Sequence, residues 1–459
     1  RKPGVFPAGA PIVVAGEAGL GAAVVERLTA LGFSAQWAPI DAGLPEALGG
    51  LVIIAPSRRL SPTQLWDDAS ERFARRAFAL ACRAAKPLQA SRGVFATVTR
   101  LDGSFGLSGL TAEQDPVAGA LAGLAKTAGK EWAGVSCKAL DAAELPESAL
   151  AELIVSELLL SGPDEVGLAA NGKRALTLEE RPATEASAPF TEDDTVLITG
   201  GARGVTAAAA LALAKACRPT LLLWGRSEKP TADVPGSEAE LKKHFAAQGM
   251  KPKEIAACVK RVLADREIRA TLAALEAAGS QVVYEAVDVR DAAAVKTALS
   301  KHKIQGLVHG AGVLADKKLE DKTVESFDAV WGTKVTGLRN ILSALDLSAL
   351  KGLVLFSSST ARYGRAGQGD YAMANEALNK IARLLNRRLP QARVAAIGWG
   401  PWDGGMVTDA LKPLFAAEGV GLIGLEVGGN LLVSELSQGS RAVELVVLGT
   451  AGQRALDVG

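Results

Sequence analysis

Apolar residues in this chain come in short unbroken runs, separated by longer stretches where they recur every three or four positions. IVVA from Ile12, LVIIA from Leu51 and GVFATVT from Gly93 have the length of buried strands. Between the last two lies SPTQLWDDASERFARRAFALACRAA, whose spacing predicts a helix. Strands apolar on both faces, alternating with helices, predict a parallel sheet covered on each side. A stretch rich in Pro, Ala and acidic residues, Glu179 to Asp194, then interrupts the rhythm and carries Pro182 and Pro189. Beyond it the rhythm resumes with TVLIT, TLLLW, QVVYEAV, GLVHGAG, GLVLFS and RVAAIGW, six strands that imply a doubly wound, Rossmann-type sheet. The pattern therefore predicts an α/β protein of two lobes, residues 1–180 and 195–459, joined by a linker over 181–194. Within the second lobe, roughly residues 228–279 separate two strands and read as a helical hairpin inserted at the sheet's periphery.

Composition narrows the function classes. With 51 basic and 50 acidic residues there is no electrostatic case for nucleic acid. Cys82, Cys137, Cys217 and Cys258 are scattered at spacings that fit neither a zinc site nor a disulfide framework, so a reducing, cytoplasmic setting is expected. No apolar run approaches a bilayer span, and no membrane partner is expected. The opening Arg suggests a domain cut from a longer polypeptide. His244, His302 and His309 are the three histidines, too few to favour a metal site or a Ser-His-Asp nucleophile. Tyr, Lys, Ser and Asn are left as candidate chemistry.

The segment from Thr199 through Gly200, Gly201, Arg203, Gly204 and Val205 follows an apolar strand and opens an Ala-rich helix. Backbone amides at such a helix start can approach a pyrophosphate without side chains intervening. About twenty residues on, Arg226 and Ser227 end the next strand; a cation there suits the extra phosphate of NADP, where an acidic residue would suit NAD. Asp288 and Val289, and Gly310, Ala311 and Gly312 after His309, lie at later strand ends where adenine and ribose contacts are expected. Gly16, Gly19 and Gly21 form a second possible fingerprint in the first lobe, but neither an acidic residue nor an Arg follows in place, which favours a degenerate structural lobe.

Tyr371 opens YAMANEALNKIARLL, in which Tyr371, Ala374, Asn375 and Leu378 share a helical face turned to the core. Buried polar groups need partners, so two of them on that face suggest a site. Ser358 ends a strand thirteen positions upstream, at the sheet edge where doubly wound folds bind ligands. Lys334 falls on the apolar stripe Phe327, Trp331, Leu338, Ile341 of a preceding helix, and lysine is almost never buried without a reason. Lys380, its rival, lies half a turn off the face of Tyr371.

These residues resemble the ketoreductase domain of modular polyketide synthases and related fatty-acid synthases, members of the short-chain dehydrogenase superfamily. Tyr371, Asn375, Ser358 and Lys334 fit that family's arrangement, in which Asn follows the tyrosine and the Lys comes from an earlier helix. TGGARGVTA, the long insertion after WGRS, and GWGPWDGGMV look most like the ketoreductase of polyunsaturated-fatty-acid synthases. The resemblance implies a truncated, non-catalytic first lobe, NADPH as cofactor, and a β-ketoacyl thioester on an acyl carrier protein as substrate, amid neighbouring synthase domains. It implies Tyr371 as proton donor, with its pKa lowered by Lys334, Ser358 holding the substrate oxygen, and Asn375 ordering the relay. Leu314, Asp316 and Tyr363 would set stereochemistry, with an R-configured, B-type alcohol expected. Trp402 and Met406 would begin a lid over the substrate. Thr206 departs from the family's third glycine, which puts helix packing in doubt. Two rivals are a redox-inactive, structural ketoreductase-like domain and a sugar-nucleotide epimerase or dehydratase, although the latter resemble enzymes with Lys in place of Asn375.

Overall fold

The computed structural model describes residues 6–181, 188–231, 234–405, 407, 412–437 and 442–449. Met406 lies outside them. The first lobe contains strands β1 (Ile12–Gly16), β2 (Ala35–Ala38), β3 (Gly50–Ile54), β4 (Val94–Thr99), β5 (Ser136–Ala142), β6 (Glu165–Ala169) and β7 (Gly172–Arg174). Its helices are α1 (Ala18–Ala30), α2 (Asp68–Ser91), α3 (Ala120–Glu131) and α4 (Glu147–Leu158). The second lobe begins β8 (Thr195–Thr199), α5 (Gly204–Cys217), β9 (Thr220–Gly225), α6 (Glu238–Ala247), α7 (Pro252–Ala277) and β10 (Val282–Ala286). It continues α8 (Ala292–Leu299), β11 (Gly306–His309), α9 (Val324–Trp331), α10 (Gly337–Ala344), β12 (Gly352–Ser358), α11 (Ser359–Tyr363) and α12 (Gly369–Arg388). Strand β13 (Arg393–Trp399), helices α13 (Lys412–Ala417) and α14 (Leu425–Ser437), and strand β14 (Glu444–Val447) complete it.

Each lobe holds a seven-stranded sheet. The second runs β10-β9-β8-β11-β12-β13-β14, with every neighbouring pair parallel. The first runs β2-β1-β3-β4-β5-β6-β7, and its last pair is antiparallel. Superimposing the two orders shows what is shortened in the first lobe: it has no strand outside β2, and the chain passes from β2 to β3 without a helix. Strands β3, β4 and β12 are buried at every position, as their unbroken apolar runs require.

One apolar core is continuous across the lobes, bringing Phe78, Leu121 and Leu124 of the first together with Phe327, Leu378 and Ile381 of the second. A shared core of this kind fixes the lobes relative to each other. Helix α3 lies so close to α12 that a Cβ at Gly123 would come within 2.6 Å of the Ala372 carbonyl oxygen. Around that crossing sits an ionic cluster that nothing in the sequence pattern announces. Lys126 pairs with Glu165 at 2.7 Å, Lys380 with Glu376 at 3.1 Å and Glu444 at 3.0 Å, and Arg362 with Glu165. Lys380, buried in this cluster, is thereby occupied elsewhere.

Two sequence expectations are modified. The inserted hairpin is not wholly peripheral. Its outer part has a small core of Leu241, Val259 and Val262, but Ile268, Leu272 and Leu275 on the last turns of α7 join the core of the main sheet. The long helix expected to carry Lys334 is interrupted by a π-turn over Gly332–Thr336, placed between α9 and α10. The wider turn carries Lys334 at its centre, a device common near functional sites.

Candidate active site

Gly200 and Gly204 turn the chain from β8 into α5 with φ of +74° and +59°, conformations that a side chain would strain. Gly200, Gly225, Arg226, Asp288, Ala311 and Gly312 line a cleft with about 470 Å³ of empty space at the carboxyl edge of the sheet. Arg226 and Ser227 are exposed where β9 ends. Val289 is buried along the same wall. Gly201 faces the other way, packed on Ile198 and Leu223, and serves the turn rather than the cleft. Thr206 is accommodated by Gly310, where any Cβ would overlap its side chain at 2.6 Å. The glycine that the family keeps in α5 is thus compensated by one on the facing loop.

Several groups expected to meet the cofactor have other partners. The Thr199 hydroxyl accepts from the Ala311 amide at 3.1 Å and lies 2.9 Å from His309 Nδ1, while His309 Nε2 lies 2.9 Å from the Lys334 carbonyl oxygen. A carbonyl only accepts, so Nε2 carries the proton and Nδ1 accepts from the threonine. Burial, and then the charge of Lys334, push His309 down to about 3, which keeps it neutral in this role. The Asp288 carboxylate is gripped by Arg290 at 2.6 Å. Arg203 pairs with Glu267 of α7 at 2.8 Å, and the second oxygen of Glu267 accepts from the Gly204 amide at 2.7 Å. This carboxylate caps a helix whose own N-terminal residue offers no side-chain cap.

The four polar candidates come from three elements: Lys334 lies against Gly312 of the cleft and beside Tyr371, Asn375 follows one turn along α12, and Ser358 stands two residues beyond the Phe356 carbonyl that holds the lysine. Lys334 is 2% exposed; its amine donates to the Phe356 carbonyl at 2.8 Å and sits 5.3 Å from the centroid of the Tyr371 ring. A Cβ on Gly312 would touch the same side chain at 3.1 Å, so the amine lies between that cleft and the tyrosine. Asn375 donates to the Tyr371 carbonyl at 2.8 Å, one turn back along α12, leaving its Oδ1 buried without a hydrogen-bond partner. Ser357 fixes this stretch by donating to the Asn375 carbonyl at 3.1 Å. Ser358 caps α11, accepting from the Thr360 amide at 3.2 Å.

Electrostatics correct one expectation. Burial pushes the Tyr371 phenol up to about 12; the nearby Asn375 carboxamide lowers it and Asp316 raises it. Desolvation also brings Lys334 down to about 7. With the amine drawn to the Phe356 carbonyl and itself starved of water, the phenol is not held down as the resemblance implies.

Beside Tyr371 the mouth is formed by two loops. Leu314 and Asp316 are exposed on one, and Asp316 accepts from Gln368 of the other at 2.9 Å. Tyr363 is half-buried at the end of α11, its hydroxyl without a partner. Trp402 departs from its expected place in a lid over the substrate. It is 3% exposed, set edge-on to Trp399 at 4.7 Å and pressed over Gly428, so it anchors the segment to α14.

The sequence profile of the KR domain matches residues 194–404, the span that carries every one of these groups. Over 394 residues the chain is 39% identical to a polyunsaturated fatty acid synthase protein of a Thraustochytrium species, covering 78% of this chain and 14% of that protein. This chain belongs to the ketoreductase domains of polyketide and polyunsaturated-fatty-acid synthases. A polyketide synthase of Streptomyces halstedii is 32% identical over 336 residues, 71% of this chain and 4% of its own length. The ketoreductase domain thus spans a small fraction of these relatives. Its fold matches solved ketoreductases: an A-type enzyme from a modular polyketide synthase at TM-score 0.71 and 24% identity, covering 98% of this chain and 91% of that one. A ketoreductase from the macrolactin assembly line gives the same TM-score at 18% identity, covering 100% and 91%. Among the described residues no helix is long and apolar enough to cross a membrane.

Proposed function

We propose that this domain reduces a β-ketoacyl thioester, carried by an acyl carrier protein, to the R-configured β-hydroxyacyl thioester with NADPH, as part of a polyunsaturated-fatty-acid or polyketide synthase. The observation that carries this reading is the amine of Lys334, buried between Gly312 and the Tyr371 ring. A lysine desolvated in this way without a carboxylate partner is costly, and an active site is the usual reason for it.

The residues present fit the cofactor. Gly200, Ala311 and Gly312 present backbone to the cleft, and the exposed guanidinium of Arg226 at its rim suits a 2′-phosphate. When bound there, NADPH supplies a hydride to the β-carbonyl carbon. Tyr371 gives its phenolic proton to the carbonyl oxygen as negative charge develops. A phenol pushed up to about 12 is fully protonated at neutral pH, the state that reduction needs. The Lys334 amine, beside the ring and brought down to about 7, is poised to return a proton through the relay to the phenolate that remains. Ser358 orients the substrate oxygen, and the vacant Oδ1 of Asn375 is an acceptor for the lysine or a relaying water. Leu314, Asp316 and Tyr363 border the mouth and set which face of the ketone meets the cofactor.

Tyr371→Phe is expected to lower NADPH oxidation with a β-ketoacyl thioester by roughly 10²–10⁴-fold while leaving NADPH affinity unchanged. Retained turnover would overturn the assignment, and an S-configured product by chiral chromatography would overturn the stereochemical part.

A further inference from the structure

One carboxylate of the first lobe reaches both loops of the substrate mouth. Glu131 is the last residue of α3, and its two oxygens are divided between the two loops of the mouth. Oε2 accepts from the Leu319 amide at 2.6 Å, and Oε1 accepts from the Gly367 amide at 2.7 Å. Leu319 ends the loop that carries Leu314 and Asp316. Gly367 lies in the turn between Tyr363 and Tyr371. These loops also touch directly, through the Lys317 amide donating to the Gly367 carbonyl at 3.0 Å and Gln368 donating to Asp316 at 2.9 Å. Lys322 ties both again, donating to the Ala315 carbonyl at 2.7 Å and to Asp370 at 2.6 Å. Glu131 is the member of this set that belongs to the first lobe.

We infer that Glu131 is a positioning residue for stereoselection: by clasping both loops to the rigid end of α3, it fixes the gap through which the ketoacyl chain approaches Tyr371. The inference rests on the ketoreductase reading above and deepens it. Backbone amides bonded to a carboxylate make bonds roughly twice as strong as neutral ones. Bonds between the loops hold their separation but let the pair move as one, whereas a carboxylate shared by both pins the pair to α3 and so fixes where the gap lies over Tyr371. Face selection needs that placement, because a thioester entering from the other side of the gap presents the opposite face of its ketone. The lobe without catalytic groups would therefore determine the handedness of the product, through a contact that no catalytic motif contains.

The test uses Glu131→Gln and Glu131→Ala in the whole chain, with a β-ketoacyl thioester and NADPH. The minor alcohol isomer is expected to rise roughly tenfold in the Ala variant, equivalent to about 1.4 kcal/mol between the two approaches. The rise is smaller for Gln, which keeps one acceptor but turns an N–H against the other amide. KM for the thioester rises, NADPH affinity stays, and hydrogen exchange at the Leu319 and Gly367 amides accelerates. If the Ala variant melts, the Gln variant supplies the same readouts. An unchanged isomer ratio in an active, folded Gln variant overturns the inference while the ketoreductase reading stands. Absence of turnover in the unaltered chain overturns both.

Discussion

Each lobe places a glycine-bearing loop between its first central strand and the helix that follows, and the two loops differ in what satisfies the helix's first amides. In the first lobe the answer is local. Glu17 folds back on α1, accepting from the Gly19 amide at 3.1 Å and the Leu20 amide at 2.8 Å. Glu147 stands 2.7 Å from where a Gly19 Cβ would lie, and the Trp37 ring fills the space over Gly21. The ground a pyrophosphate would need is already held by the chain's own acid and indole groups. In the second lobe the Gly204 amide is met by Glu267, 63 residues away on the exposed side of α7, and the neighbouring cleft is open. A glycine loop is thus a place where phosphate can bind, and whether it remains one depends on which carboxylate arrives there first.

The lobes also differ in what they contribute. The second supplies the phenol, amine, hydroxyl and carboxamide. The first supplies a rigid back wall, with α3 set against the start of α12 at Gly123 and its end clasping the mouth at Glu131. Support of this kind is inexpensive in residues because α3 is buried at nearly every position, and each fully buried Leu of its apolar face stabilises by about 1.5–3 kcal/mol.

Substitution at the crossing breaks this division most severely. Gly123→Leu would force α3 from the Ala372 carbonyl, and overpacking of this type costs about 1–3 kcal/mol. A displacement of about 1 Å at Tyr371 lowers kcat/KM by about 100-fold, with NADPH affinity little changed because the glycine loop lies elsewhere. Steady-state kinetics beside a cofactor titration checks this; unaltered kcat/KM would mean that the first lobe does not hold the tyrosine. A middle-sized effect is expected at the second loop. Glu267→Ala removes a carboxylate that competes with phosphate for the Gly204 amide and for Arg203, so NADPH binding tightens by about fivefold, the equivalent of ~1 kcal/mol. Fluorescence titration measures it, and weakened binding would show instead that the carboxylate builds the loop for the cofactor. The smallest effect belongs to the first loop. Glu17→Ala loses a cap worth about 1 kcal/mol, read as a lower unfolding midpoint, and creates no second NADPH site because Trp37 and Glu147 still fill the space.

Much of this architecture is legible before any coordinates. Buried parallel strands are apolar throughout, so β3, β8 and β12 announce themselves as unbroken runs. The short β7 carries no such run, and the apolar pattern does not predict it, whereas the edge strand β14 does carry one, LVVL from Leu445, and is the seventh strand that the expected six leave out. Lys334 stands out as a charge on an apolar stripe, although the π-turn that aims it does not, since a bulge of this kind depends on hydrogen bonds and not on residue type. Glu131, Glu267 and the cluster around Lys126 look like ordinary surface charges in sequence. Lys126 and Glu165 are 39 positions apart, Glu267 and Gly204 63, and Glu131 and Gly367 236, relations that local periodicity does not encode.

The sequence alone determined the alternation of strand and helix, the two lobes and the glycine turns, and named the candidate groups for proton transfer, because each depends on residue type and short-range spacing. Tertiary structure alone decided which glycine loop stays open, how far the phenol and the ammonium are desolvated, and how the first lobe grips the mouth of the second. Those outcomes follow from distances between remote segments and from the water that packing removes, and both come into being only when the two lobes close on a common core.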